Sequence, residues 1–118
     1  MTSLEIAKTA AAALDSKLGK DIKIIKIADL TVIADYFVIA TGGNVTQVKA
    51  LANEVDFKLG ELGVKPLRTE GADSGGWILL DFNTVVVHVF RAETREFYSL
   101  ERLWADGEEI DPQLVKSE

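Results

Sequence analysis

Uninterrupted apolar runs, in place of the usual polar-apolar alternation of strands, are the strongest constraint on the architecture of this chain. Tyr36-Phe37-Val38-Ile39-Ala40-Thr41 is apolar almost throughout, which is how a strand covered on both faces reads. Trp77-Ile78-Leu79-Leu80-Asp81 and Val85-Val86-Val87-His88-Val89-Phe90 follow, joined by a tight turn near Phe82-Asn83-Thr84, and this spacing predicts a hairpin. Alternation places Trp77, Leu79 and Asp81 on one face and Ile78, Leu80 and Phe82 on the other. In the next strand Val85, Val87 and Val89 share a face, and Val86, His88 and Phe90 share the opposite one. Neither strand has a plainly polar side, so both faces of the hairpin require cover.

The cover comes from helical patterns between the strands. Thr2 and Glu5 stand in capping-box spacing. Leu4, Ala7, Ala11, Leu14 and Leu18 then repeat along one helical face, with Gly19 as a stop. Residues 21–27, rich in isoleucine and partly alternating, predict a strand with a wetter side. Asn44 is an N-cap with Gln47 at the capping-box partner position. Val48, Leu51, Ala52, Val55, Leu59 and Leu62 form the stripe of a second helix, which Gly63 ends and Pro66 keeps from resuming. Residues 67–70 read as a short strand, 71–76 as a loop rich in Gly, Ser and Asp, and 92–104 as partly helical. The order helix, strand, strand, helix, strand, hairpin, helix predicts a single α/β domain, a mixed β-sheet flanked by helices with strand 36–41 near its centre. Its limits are expected at residues 1–106, with 107–118 an acidic, flexible tail.

At 118 residues and 47% hydrophobic, the chain has the size of one domain with its own core. It contains no cysteine, which excludes disulfides and thiolate metal sites. The formal net charge is -6, most of it beyond Trp104, and this speaks against a protein that wraps nucleic acid by charge. No apolar run approaches the roughly 18 residues of a membrane span. The lysines at 17, 20, 23 and 26 interleave with Asp15, Asp21 and Asp29, which reads as a solvated surface.

The turn Thr41-Gly42-Gly43-Asn44 leads from a strand to a helix N-terminus, a place where backbone amides can hold phosphate. It lacks both the dinucleotide glycine pattern and a Walker lysine, and a tight turn that needs glycine for its backbone angles accounts for it. Two-metal nucleotidyl transfer would require paired carboxylates near such a turn. The nearest candidates are Asp81 and the neutral Asn83, and Asp81 before a turn reads as a turn cap. His88, the one histidine, has no nucleophile nearby in sequence and reads as structural. The Trp77 face remains the informative feature. Either residues 97–104, with Phe97, Tyr98, Leu100, Leu103 and Trp104, fold back over it, or another chain covers it.

Three blocks in order carry a family resemblance. Residues 34–42 (Ala-Asp-Tyr-Phe-Val-Ile-Ala-Thr-Gly) resemble the opening motif of the ribosomal silencing factor, or Iojap, family. Glu70-Gly71 with the two hairpin strands resembles its middle block, and residues 95–106 its closing block. Asn44, Thr84 and Gly76 stand where the family commonly has serine, an acidic residue and a charged residue. The resemblance implies a nucleotidyltransferase-like fold without a complete catalytic carboxylate set and without enzymatic activity or cofactor. It implies cytoplasmic action on the large ribosomal subunit, through the ribosomal protein of universal family fourteen at the subunit interface, so that the small subunit cannot join. It further implies a homodimer when free, with no membrane and no sequence-specific nucleic acid among its partners. A nucleotidyltransferase-like enzyme using the Gly42-Gly43 turn is the alternative. The expected partner contacts are Trp77, Leu79, Asp81, His88 and Phe90, with Arg68 and Glu70 nearby. Tyr98 and Trp104 are assigned to core or dimer contact.

Overall fold

The computed structural model describes residues 1–73 and 76–110. Helix α1 spans Ser3–Ser16 and α2 Val45–Glu61. Six strands, β1 (Lys20–Lys26), β2 (Tyr36–Gly42), β3 (Arg68–Glu70), β4 (Trp77–Asp81), β5 (Val85–Arg91) and β6 (Glu108–Ile110), form one sheet in the order β3-β4-β5-β2-β1-β6. Strands β2 and β5 run parallel and the other neighbours antiparallel, so the expected mixed sheet is present and β2 is internal. Two short helices, α3 (Ala92–Tyr98) and α4 (Leu100–Leu103), close the described chain before β6.

The two faces of the sheet are covered very differently. Val38 and Ala40 of β2, Ile78 and Leu80 of β4, and Val85, Val87 and Val89 of β5 pack with the stripes of α1 and α2 into the main core. The opposite parity, Phe37 and Ile39 of β2 with Val86 and Phe90 of β5, forms a smaller cluster. Leu100 and Trp104 cover that cluster from one side, and Trp77 and Leu79 pack on it half-buried. The period-two side-chain rule therefore assigned every hairpin residue to its correct face.

The helix caps follow the sequence. Thr2 Oγ1 accepts from the Glu5 amide and Glu5 Oε1 from the Thr2 amide. Asn44 Oδ1 accepts from the Gln47 amide at 2.8 Å. Gln47 departs from the reciprocal box: its Oε1 accepts from the Gly43 amide, while its Nε2 donates to the Leu18 carbonyl. One side chain thus joins the start of α2 to the end of α1. Leu18 and Leu62, placed in the helical stripes by periodicity, lie beyond the last helical residues and are exposed, because both helices end before the stripe does.

Further corrections concern the chain's end. Glu108–Ile110, assigned to the tail, pairs antiparallel with β1, and Glu109 meets Lys23 at 3.4 Å. The rest of the expected tail, 111–118, lies outside the described residues. Residues 92–104 are helical in part, as expected, with Ser99, whose backbone is left-handed (φ 48°), standing between α3 and α4.

The hairpin that carries the Trp77 face depends on Gly71. This residue has φ +82°, and a Cβ there would fall 2.0 Å from the Trp77 carbonyl oxygen. An L side chain meets both a backbone penalty and a backbone collision that no rotamer relieves. Gly71→Ala is expected to cost about 2 kcal/mol of stability. Urea unfolding checks this, and an unchanged midpoint would show that the β3–β4 connection relaxes freely.

Candidate interaction face

The sheet register brings the sequence-predicted contact residues to one side. Arg68 lies opposite Asp81 and Glu70 opposite Leu79. Leu79 in turn lies opposite His88, and Trp77 opposite Phe90. Directly paired residues share a face, so Arg68, Glu70, Trp77, Leu79, Asp81, His88 and Phe90 all lie on the side away from α1 and α2.

They do not all reach its surface. Phe90 is fully buried and His88 is 4% exposed, which takes both off the accessible contact surface expected for them. They form its support instead. The Trp77 ring lies 4.9 Å from Phe90, and its Nε1 donates to His88 Nδ1 at 3.1 Å. Phe37 stands edge-on to His88 at 4.7 Å. Because Nδ1 accepts from Trp77, the neutral imidazole carries its proton on Nε2, which is buried without a partner. Burial pushes the His88 pKa down to about 4, since a desolvated imidazolium is unfavourable.

Above this support, the C-terminal segment covers only part of the face. Tyr98 lies against Trp77 with ring centroids 4.7 Å apart and is still 52% exposed. Trp104 meets Phe37 edge-on at 5.6 Å and belongs to the smaller core. Phe97 and Leu103, expected to fold over the hairpin, are 77% and 72% exposed. The fold-back reading is therefore realised in part: the segment covers some of the face, and aromatic surface stays exposed beside it.

The polar border is made by β3 and the end of β4. Arg68 Nε lies 3.3 Å from Asp81 Oδ2 and 3.7 Å from Glu70 Oε2. Asp81 Oδ1 accepts from the Asn83 amide at 2.8 Å, the turn-capping role expected from its position. Both carboxylate oxygens are thus engaged in structure. Among the described residues, no group of three or more His, Cys, Asp or Glu side chains is placed to hold a metal ion.

The glycine turn does not offer a phosphate cradle. The Gly43 amide is bonded to Gln47, and a Cβ on Gly42 would approach Val48 Cγ2 to 2.8 Å. Gly42 has no positive φ, so glycine serves here to let β2 pack closely on α2, not to provide special backbone angles as expected.

Fold and face together define the class: a small α/β domain that holds a half-buried tryptophan at a surface edged with charge. A family model described as "Ribosomal silencing factor during starvation" matches residues 1–118, and the chain belongs to the ribosomal silencing factor family, a family of non-enzymatic proteins. The ribosomal silencing factor RsfS of Bacillus subtilis is 40% identical over 107 residues, covering 91% of each chain. A crystal structure of a Chromobacterium violaceum protein superposes with a TM-score of 0.87 at 42% identity, covering 94% of this chain and 92% of that one. A mouse protein named mitochondrial assembly of ribosomal large subunit protein 1 is 32% identical over 101 residues, covering 83% of this chain and 44% of its own. A general role in ribosomal silencing follows from the family.

Two residues that shape the face were not singled out from sequence. Phe37 belongs to a doubly covered strand and to the opening motif, and neither marks it as a support of the face. Arg95 stands within the closing block, yet it is buried and bonds to Thr41, 54 residues away. Its other partner, Glu101, is six residues on, a spacing that no helical pairing rule detects.

Proposed function

We propose that this protein silences translation by occupying the large ribosomal subunit so that the small subunit cannot join. It docks through the Trp77 face on a basic ribosomal protein at the subunit interface, the protein of universal family fourteen. The observation that carries this reading is the convergence of Trp77, Leu79, Asp81, Arg68 and Glu70 on one sheet face, with Tyr98 beside them. A half-desolvated aromatic anchor with a charged rim is the usual design of a protein–protein contact. The mouse relative's name points to the large subunit as the particle concerned. The net charge of -6 suits a grip on a basic protein in preference to RNA. The site of action is the cytoplasm, where subunits join, and the free protein pairs with a second copy. Among the described residues, no helix is long and apolar enough to cross a membrane.

The test is subunit profiling. Purified protein is incubated with large subunits before small subunits are added, and the mixture is resolved on a sucrose gradient. The expected result is factor in the large-subunit fraction and loss of joined ribosomes. Normal joining with the factor still bound would refute steric blocking.

A further inference from the structure

Arg95 is a buried charge that the contact face does not use directly. Its residue is 8% exposed, and its guanidinium faces three ways. Nη1 donates to Thr41 Oγ1 at 2.8 Å, Nε donates to Glu101 Oε2 at 3.1 Å, and Nη2 is buried without a partner. Thr41 lies near the end of β2 in the middle of the sheet, Glu101 lies on α4, and Arg95 itself lies on α3. One side chain therefore ties two helices to the central strand.

Beyond this tie, those helices are held by Leu100 and Trp104 on the smaller core and by Tyr98 on Trp77. They are seven and four residues long, below the length at which a helix persists without tertiary support. Left-handed Ser99 separates them. Phe97 and Leu103 are exposed and contribute little burial. An open cavity of about 380 Å³ is bordered by Asp21, Thr41, Ala92, Arg95, Ser99 and Arg102 among others. Arg95 and both of its hydrogen-bond partners, Thr41 and Glu101, border this cavity. The consequence reaches Tyr98, one helical turn beyond Arg95, whose ring rests on Trp77.

We propose that Arg95 is a positioning residue for the docking face: it sets α3 and α4 over the sheet, so that Tyr98 is held against Trp77 before the partner arrives. This rests on the reading that the Trp77 face binds the large subunit. The physical basis is twofold. A buried guanidinium that loses an acceptor is left with an unsatisfied N–H, so the arrangement resists displacement. A face ordered in advance spares the complex the cost of ordering it on binding.

The test uses the full chain with Thr41→Val, which removes the acceptor at nearly constant volume, and Arg95→Met. Thr41→Val keeps the proposal testable if Arg95→Met fails to fold. In both variants, hydrogen exchange across residues 92–103 is expected to rise at least tenfold, while α1 and α2 keep their protection. Affinity for large subunits is expected to fall about tenfold, the scale of coupling between groups that act through one contact. Thr41→Ser, which keeps the hydroxyl, restores both. In a Tyr98→Ala background, Arg95→Met should lower affinity no further, whereas a residue acting only on overall stability would still do so.

Unchanged exchange over 92–103 in Thr41→Val would overturn the proposal. So would faster exchange with unchanged affinity, or full additivity with Tyr98→Ala. Normal binding by Trp77→Ala would instead mark a failure of the docking reading, and the exchange result would then judge the Arg95 tie separately.

Discussion

Trp77→Ala is expected to weaken binding to the large ribosomal subunit by roughly 30-fold, about 2 kcal/mol, the usual scale for an aromatic hot spot. Trp77 is the one large aromatic on the exposed side of the hairpin whose orientation is secured from beneath. Phe90 lies under its ring, and His88 Nδ1 accepts its indole hydrogen. Such an anchor enters a partner's pocket with little side-chain entropy left to lose. The domain should remain folded, because the main core between the sheet and helices α1 and α2 does not include Trp77. Cosedimentation with large subunits measures the effect, with a thermal melt as the folding control. Unchanged cosedimentation would show that docking uses another surface.

The second large effect is acid sensitivity through His88. Its pKa in the folded protein is about 4, against 6.5 as the ordinary value. Between these values the unfolded chain binds a proton that the folded chain refuses, so stability rises with pH in this window. The contribution is complete above pH 6.5 and is lost as pH falls toward 4, for a total of about 3 kcal/mol. Protonation also turns Nδ1 into a donor, and the hydrogen bond from Trp77 is lost. Urea unfolding at pH 7 and pH 4 should show His88→Asn losing about 3 kcal/mol less than the parent chain over this range. Equal losses in the two proteins would mean that His88 does not resist protonation in the fold.

What was readable in the sequence differs by residue for physical reasons. Trp77, Leu79 and Asp81 were placed on a common face because strand side chains alternate regardless of what surrounds them. Asn44 and Thr2 were recognised as caps because a helix start leaves amides that a side chain three residues away can satisfy. Phe90 and His88 were assigned to the right face but the wrong depth. Alternation states which way a side chain points and not what lies above it, and here Trp77 and Phe37 pack against them. Glu108–Ile110 looked like tail because three residues give too short a pattern. Pairing with β1 defines that strand.

By itself, the sequence determined the local order of the molecule: where helices begin, which strands need cover on both faces, which turn Asp81 caps, and which residues share a side. These depend on short-range sterics, hydrogen bonds and side-chain periodicity, all of which act within a few residues. Only the tertiary structure decided that β5 lies parallel beside β2, that Arg95 bonds to Thr41, and that Tyr98 settles on Trp77 while Phe97 stays in solvent. Those contacts join residues distant in the chain, and their geometry is set by how two sheet faces of unequal cover share the few helices available.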